Sequence, residues 1–164
     1  SERLKDRNYN LPLRVRVDAQ SRCSRIIKKL RKKQNQSADA DASIAMDWAQ
    51  TEAANIAMPG KRYEVCVSPV PIPAKIARPL LSSMFKSATD CSLVVLARDG
   101  EHMSIYCGKN PNDSSGLSAV AWLRVILEQT SGKGGGNDEF AQGHKLAWKE
   151  RAVAVEAAKK FYAP

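Results

Sequence analysis

The sequence has few of the residues that build metal centres and disulfide frameworks. Its 164 residues include four cysteines and two histidines, and no two cysteines form a C-x-x-C pair. Because such pairs are the usual mark of a zinc site, no metal ligands are predicted. Three of the scattered cysteines lie in apolar runs, where a free thiol packs as a small hydrophobe. We therefore expect free thiols and a reducing compartment, the cytoplasm or the mitochondrion.

Long apolar runs and a leader are also lacking. No stretch reaches the ~18 apolar residues that a membrane span needs, and no basic-then-apolar leader opens the sequence. We therefore expect no membrane partner. The sequence starts at Ser1 without an initiator methionine, which predicts a fragment of a longer protein.

Catalytic patterns are the third absence. No carboxylate pair, Cys-His pair or serine elbow stands out. His102 is expected on a strand surface and His144 at a helix start, neither in a catalytic role. The three tryptophans fall within predicted helices, where packing is the expected use. Only Tyr9 lies beside a basic stretch where it could stack on a base. We predict no catalytic residue and no cofactor in this chain.

Positive charge is in excess, and it is unevenly placed. The net charge is +9, and residues 1–36 account for all of it, with twelve lysines and arginines against three acidic residues. Residues 37–164 hold fourteen of each sign. A block this basic attracts polyanions and releases counterions at each phosphate that it contacts. A solvated helix face or a localisation signal is the alternative, because a basic run alone does not specify a partner.

The basic segment has the periodicity of an amphipathic helix over residues 13–35. A narrow apolar stripe is predicted at helical spacing, formed by Val15, Ala19, Cys23, Ile26 or Ile27, and Leu30. The wide opposite face is the first predicted nucleic-acid surface. Its residues are Arg14, Arg16, Arg22, Arg25, Lys28, Lys29, Arg31, Lys32 and Lys33.

A second helix is predicted over residues 38–57. Ser37 and Asp39 offer N-caps, alanines recur at helical spacing, and Pro59-Gly60 stops the pattern. Together the two segments predict a helical hairpin or a kinked helix, whose alanine-rich face packs against the first helix or a second copy of the chain. The domain boundary is placed at Pro59-Gly60, between a basic helical subdomain (1–60) and a globular α/β subdomain (61–164).

The globular subdomain is predicted to be a mixed β-sheet flanked by helices, an α/β (α+β) fold. Strands are predicted over residues 63–67, over the apolar run 91–97, and over 102–107 after an Asp99-Gly100 hairpin turn. Helices are predicted around residues 80–88, over 117–129 and over 145–162. Pro79 disfavours the helical conformation in the residue before it, so the first of these helices should start or kink there.

Glycines are concentrated in one stretch, residues 131–143, with Gly132 and the run Gly134 to Gly136 surrounding Lys133. Because glycine costs roughly 0.5–1 kcal/mol against alanine in regular structure, the run predicts a backbone that needs positive φ or lies close to a ligand. If this loop, 132–136, leads into a helix near Asn137, its N–H groups form an anion-binding nest beside Lys133. A flexible linker is the alternative. A Walker A loop is excluded, because Gly134 follows the lysine where Ser or Thr would hold magnesium.

The stretch Gly-Lys-Gly-Gly-Gly-Asn-Asp-Glu-Phe-Ala-Gln-Gly resembles the signature of the DHH-associated domain, in the version that closes alanyl-tRNA synthetases. The family usually writes it as Gly-Gly-Lys-Gly-Gly-Gly-Arg-Pro-Asp-Met-Ala-Gln. The order of elements from about Arg62 onward fits as well. Asn137 replaces the arginine of the signature, and Asp138 and Glu139 replace Pro-Asp, which places acids beside the loop. The matching positions are Lys133, Gly134, Gly135, Gly136, Ala141 and Gln142.

The resemblance implies a non-catalytic C-terminal domain of an alanyl-tRNA synthetase. The implied partner is tRNA(Ala), contacted at the outer corner of its L shape, with DNA or other single-stranded nucleic acid as a further ligand. A homodimer through the helical part is implied, as is cooperation between aminoacylation and editing in a parent alanine-tRNA ligase. The ATP and zinc of that enzyme would belong to its missing part. The implied binding residues of the glycine loop are Lys133, Gly134, Gly135, Gly136 and Gln142.

Two other functions stay open. A protein-interaction, dimerisation or DNA-binding module that has lost tRNA binding fits the altered flank of the glycine loop. A domain of a RecJ-type phosphoesterase would need a DHH metal motif, which this sequence lacks. Binding of tRNA over a salt series separates the first of these alternatives from the synthetase domain.

Overall fold

The chain divides into two compact units, Ser1–Ala40 and Asp41–Pro164. The computed structural model describes residues 13–57 and 61–162, and in the first range it describes the side chains of residues 22–29 and 39–57. The domain boundary predicted at Pro59-Gly60 lies outside the described residues, as does Tyr9.

The described part of the second unit contains a mixed five-stranded sheet. Its strands are β1 (Tyr63–Ser68), β2 (Ser92–Asp99), β3 (His102–Gly108), β4 (Lys133–Gly136) and β5 (Phe140–Ala147). They lie in the spatial order β1-β2-β3-β5-β4. β1 and β2 are parallel and are joined through helix α2 (Ala74–Ser87), whereas the other neighbours are antiparallel. The predicted mixed sheet is confirmed.

The β2–β3 hairpin turns one residue later than predicted. Asp99 pairs with His102, so Gly100 and Glu101 form the two-residue loop. Gly100 has a φ of 62°, the conformation that glycine supplies at the first central position of a type II′ turn. The sequence signal was therefore correct in kind and shifted in register.

Helices cover both faces of the sheet. Leu93 and Val95 of β2 pack in one cluster with α2. Val94 and Leu96 pack on the opposite side with α3 (Ala119–Glu128) and α4 (Arg151–Lys160). This alternation is the period of a strand buried on both faces, which explains why the sequence of β2 is an unbroken apolar run.

The segment expected to form a helical hairpin or a kinked helix is one helix, α1 (Leu13–Ile56), so the hairpin alternative is wrong. The turn expected near Ser37 and Asp39 is not formed, because both residues lie within the helix. The sequence of α1 contains neither glycine nor proline, the two residues that disfavour a helix interior most. Cap-forming residues alone did not end it.

The C-terminal part of α1 belongs to the globular core. Ala45, Ala49, Ala53 and Ile56 are at most 3% exposed, and they share a cluster with residues of α2 and the sheet. Their spacing of three or four residues places them on one helix face. The expectation that this face packs against the first helix or a second copy is wrong, since the sheet and α2 cover it.

Two other helix starts differ from the predictions. Pro79 lies inside α2, which begins at Ala74 directly after Pro73. The C-terminal helix begins at Arg151 rather than at residue 145, because β5 continues to Ala147 and a 3-10 turn covers Trp148–Glu150. The helix predicted over residues 117–129 begins at Ala119, and its N-cap is Ser118, whose hydroxyl accepts the N–H of Ala121 at 3.3 Å.

Candidate nucleic-acid interface

The first candidate surface is the basic part of α1. Arg22, Arg25, Lys28 and Lys29 are all exposed, and the neighbouring Ile26 and Ile27 are 57% and 44% exposed. The predicted apolar stripe is therefore open to solvent at these two positions. For Arg14, Arg16, Arg31, Lys32 and Lys33, the side chains lie outside the described part of the chain. The described residues give α1 a solvated cationic surface.

The second candidate surface is the glycine stretch, which forms a strand rather than a loop. β4 lies at the edge of the sheet and pairs antiparallel with β5, with Gly134 opposite Gly143 and Gly136 opposite Ala141. None of the three glycines from 134 to 136 has a positive φ. The predicted anion-binding nest at a helix N-terminus is therefore wrong, because the stretch leads into the strand β5 rather than into a helix.

Two of the glycines are required by the close approach of β5. A Cβ atom at Gly134 would collide with the carbonyl oxygen of Gln142, and one at Gly136 would collide with that of Phe140. At Gly135 a Cβ atom would meet nothing within 4 Å. Close packing against β5 therefore explains the glycines at 134 and 136, but it does not explain the glycine at 135.

The residues that depart from the family signature have structural partners. Asn137 closes the β4–β5 turn: its Oδ1 accepts the backbone N–H groups of Glu139 and Phe140 at 3.1 and 2.9 Å. The Asp138 carboxylate accepts the hydroxyl of Ser118, the N-cap of α3, at 2.5 Å. Asn137 therefore stabilises the β4–β5 turn, and Asp138 contacts the N-cap of α3.

The acid at 139 is paired with a cation from another element. The Arg78 guanidinium lies 3.4 Å from the Glu139 carboxylate and 5.7 Å from the ring centroid of Phe140. A cavity of about 370 Å³ adjoins this pair, with Lys109 and Asp138 also in its lining. Charges of both signs line it, so it offers no net attraction for an anion.

The predicted residues Lys133, Gly135 and Gln142 do come together on the hairpin. Gly135 pairs with Gln142, Lys133 pairs with His144, and all four residues are exposed. Residues on one strand two positions apart point to the same side of a sheet. One side of the β4–β5 hairpin therefore presents the side chains of Lys133, Gln142 and His144. The rest of β4 is glycine, so its backbone is uncovered there.

A β-bulge next to these residues was missed by the sequence analysis. Ile105 pairs with Gly143 and Met103 with Leu146, so the single residue Ser104 faces both His144 and Lys145. Lys145 has a φ of 62° and is exposed. No local sequence signal indicates a bulge here, because lysine is not a residue that favours this conformation.

A tryptophan with two arginines was also missed. The guanidinium groups of Arg98 and Arg151 lie 5.2 and 4.9 Å from the centroid of the Trp148 ring, within the range of cation–π attraction. Arg98 also donates from Nε to the carbonyl of Gly100 at 2.9 Å. Because the two arginines are about fifty residues apart in sequence, only the fold reveals the cluster.

Groups with catalytic or metal-binding chemistry are few in the described part of the chain. No three His, Cys, Asp or Glu residues in residues 13–57 and 61–162 are grouped so that they could hold a metal ion. Burial raises the pKa of Cys91 to about 12, and it raises the pKa of Cys66 and Cys107 as well. These three thiols stay protonated near neutral pH. His102 and His144 both lie exposed on strands.

None of the helices that the structure describes combines the length and the apolar character needed to cross a bilayer.

Comparison with known proteins finds this fold among solved structures. No protein-family model matches the sequence, and no curated protein matches it. Among solved structures, the C-Ala domain of Aquifex aeolicus alanyl-tRNA synthetase is 20% identical with a TM-score of 0.52, over 63% of this chain and 90% of that chain. The resemblance drawn from the sequence is thereby confirmed at the level of the fold.

RecJ from Thermus thermophilus is also similar. Its complex with Mg²⁺ is 14% identical with a TM-score of 0.52, over 74% of this chain and 18% of that chain. Its complex with Mn²⁺ is 13% identical with a TM-score of 0.53, over 79% of this chain and 18% of that chain. The present chain thus corresponds to less than a fifth of RecJ.

Proposed function

We propose that this chain is a non-catalytic, tRNA-binding C-terminal domain of an alanyl-tRNA synthetase. The observation that carries the proposal is the placement of charge: residues 1–36 hold the whole net charge, and the cations described among them are exposed on α1. A likeness to the C-Ala domain supports it through the fold. In the proposed parent ligase, aminoacylation and editing, with their ATP and zinc, take place outside this chain.

Phosphate contacts dominate this proposed interaction. Lysine and arginine side chains on an exposed helix contact phosphates, which orient a nucleic acid but carry no base sequence. A ligand bound in this way is selected by its shape, as folded RNA commonly is. The resemblance to the alanyl-tRNA synthetase domain adds the finer part of the proposal: tRNA(Ala) as the ligand, the outer corner of its L as the contacted region, and cooperation between aminoacylation and editing as the consequence.

A homodimer, if the parent forms one through the helical part, needs a surface other than the alanine-rich face. Ala45, Ala49 and Ala53 are buried in the core of the globular unit. Ile26 and Ile27 of α1 are exposed, and they are the apolar residues that we propose for such a contact.

The test is titration of the full chain with a tRNA(Ala) transcript, followed by fluorescence anisotropy over a series of salt concentrations. Replacing Arg25, Lys28 and Lys29 together with glutamine should weaken binding about tenfold or more and flatten the salt slope by roughly 2. The control replaces three exposed cations of the globular unit, Lys86, Arg124 and Lys160, and should change both quantities less.

A competition arm addresses the alternative of a DNA-binding module. Single-stranded oligo(dT) should displace tRNA poorly if folded RNA is the ligand, because the proposed recognition depends on shape. Tighter binding of oligo(dT) than of tRNA, or equal effects of the two triple variants, would contradict the proposal.

A further inference from the structure

The cavity beside the Arg78–Glu139 pair has three walls that come from separate elements. One face of α2 forms the first wall, because Arg78, Leu81 and Phe85 are three or four residues apart on the helix. The end of β3 and the β4–β5 turn form the other two walls. The cavity volume of about 370 Å³ falls within the range of small-molecule sites, roughly 300–1,000 Å³. The cavity is therefore of a size to hold a single small molecule.

Hydrogen bonds hold these walls relative to one another. The backbone N–H of Lys109 donates to the carbonyl of Glu139 at 2.9 Å, which joins the end of β3 to the β4–β5 turn. The buried side-chain amide of Asn110 donates to the carbonyl oxygens of Ala88 and Cys91 at 2.7 and 3.3 Å, which joins the same end of β3 to the end of α2. The cavity is thus formed by the fold itself, as small-molecule sites usually are.

Part of the cavity lining is apolar. Leu81 is buried, Phe85 and Phe140 are half-buried, and all three line the cavity. Aromatic rings pack favourably against other rings in stacked or edge-to-face arrangements. The two phenylalanines therefore favour a ligand that carries an aromatic group.

The charged part of the lining holds two cations and two carboxylates, from Arg78, Lys109, Asp138 and Glu139. A ligand with a single charge is attracted by one half of this set and repelled by the other half. A ligand with one charge of each sign places both of them against opposite charges. The lining therefore favours a zwitterion over an anion or a cation.

The Arg78–Glu139 pair has unused capacity for such a ligand. The guanidinium nitrogen and the carboxylate oxygen are 3.4 Å apart, longer than the about 2.7–2.9 Å of a strong charge-assisted hydrogen bond. A guanidinium has five N–H donors and a carboxylate has two acceptor oxygens, so one long contact occupies little of either group. The ring of Phe140, whose centroid lies 5.7 Å from the guanidinium, keeps Arg78 beside the cavity.

We propose that this cavity binds a free α-amino acid with an aromatic side chain. The ligand carboxylate accepts hydrogen bonds from Arg78 and Lys109, and its ammonium donates to Glu139. The aromatic ring of the ligand packs against Phe85 and Phe140. In an α-amino acid the two charged groups are bonded to the same carbon, so they lie as close together as the two charges of the Arg78–Glu139 pair.

This ligand class excludes a peptide as the occupant. A residue within a peptide has neither charge, and a terminal residue has only one of the two, so neither satisfies both signs of the lining. The inference goes beyond the proposed function and is independent of it, since it involves neither α1 nor a nucleic acid.

The test is calorimetric titration of the full chain with L-phenylalanine, which should bind with a dissociation constant below about 1 mM. Three analogues separate the parts of the ligand. 3-Phenylpropionate lacks the ammonium, phenethylamine lacks the carboxylate, and L-alanine keeps both charges without the ring. Each should bind about tenfold more weakly or worse, because each leaves one part of the lining without its partner.

Charge reversal tests the role of the pair. Arg78→Glu or Glu139→Arg alone places like charges side by side and should weaken L-phenylalanine binding about tenfold or more. Combining the two restores a pair of opposite charges, so the double variant should bind more tightly than either single variant. Lys86→Gln changes an exposed cation of α2 that does not line the cavity and should bind as the wild type does.

Three outcomes would overturn the inference. The first is a dissociation constant for L-phenylalanine above about 1 mM, and the second is equal binding of an analogue that lacks one of the charges. The third is a set of ligand-induced amide shifts in the NMR spectrum that leaves out Ser82, Gly108 and Phe140 of the lining. Any of these results leaves tRNA binding by α1 unaffected, and a failure to bind tRNA leaves the amino-acid site standing.

Discussion

The basic part of α1 and the β4–β5 hairpin differ in what folding requires of them. Arg25, Lys28 and Lys29 are exposed on a helix, and no described core residue depends on them. In the hairpin, by contrast, Gly134 and Gly136 are fixed by the approach of β5. In the hairpin, the residues that folding requires therefore alternate with predicted binding residues, whereas the predicted binding residues of α1 are free of that constraint.

The largest effect expected from this contrast lies within the glycine run. Alanine at Gly134 or at Gly136 places a Cβ atom against the backbone of β5, which should lower the free energy of unfolding by about 2–4 kcal/mol. Alanine at Gly135 meets open space and should change it by less than about 0.5 kcal/mol. Urea denaturation of the three variants measures the difference.

The outcome also decides whether β4 is correctly paired. Equal destabilisation by all three alanines would mean that the run does not form this edge strand. If Gly135→Ala is the most destabilising of the three, the result would favour the loop with positive φ that the sequence predicts.

The elements that the sequence predicted correctly are those whose residue types form a recognisable local pattern. Gly100 marked a tight turn, and alternating or continuous apolar residues marked the strands β1 and β2. Gly134 and Gly136 carry no side chain, so the period of two that would identify a strand is invisible there. Their spacing acquires meaning only when β5 is seen beside them.

Non-local packing accounts for the other errors. The alanine spacing correctly predicted that residues 38–56 are helical, but it did not identify what the alanine-rich face packs against. Alanine packs equally well against a helix, a sheet or a second chain. Trp148 was assigned to a helix from its spacing, although β5 continues to Ala147 and a 3-10 turn follows. Lys133 and Gln142 are predicted binding residues through the resemblance alone, whereas no sequence signal predicts the bulge at Lys145.

A smaller effect is expected from pH, and it should be confined to the contact between Ser131, just before β4, and Glu150, just after β5. The backbone N–H of Ser131 and its hydroxyl donate to the Glu150 carboxylate at 3.1 and 2.8 Å, and these bonds lower the pKa of Glu150. A lowered pKa means that the contribution to stability is complete above the ordinary value, about 4.3, and is lost as pH falls through the folded value. Acid should therefore loosen the start of β4.

Glu150→Gln tests this expectation. The variant should melt below the wild type at pH 7, and the gap should narrow as the pH is lowered below about 4, because protonation removes the carboxylate from the wild type as well. Glu128→Gln, an exposed change at the end of α3, serves as the control. A gap that is constant from pH 7 to about pH 3 would show that the carboxylate charge does not hold Ser131.

The smallest effect on stability is expected at the basic surface of α1. Glutamine at Arg25, Lys28 and Lys29 keeps good helix propensity, and the exposed side chains leave no cavity and no buried polar atom behind. The melting temperature of this triple variant should therefore stay within about 2 °C of the wild type, while its affinity for tRNA falls. Circular dichroism and the anisotropy titration measure the two quantities on one preparation. Removing three neighbouring positive charges reduces their mutual repulsion, so any small change should be an increase. A clear loss of helicity or a lower melting temperature would show that these cations stabilise α1. Folding would then constrain the basic part of α1 as well as the β4–β5 hairpin, and the difference between the two regions would disappear.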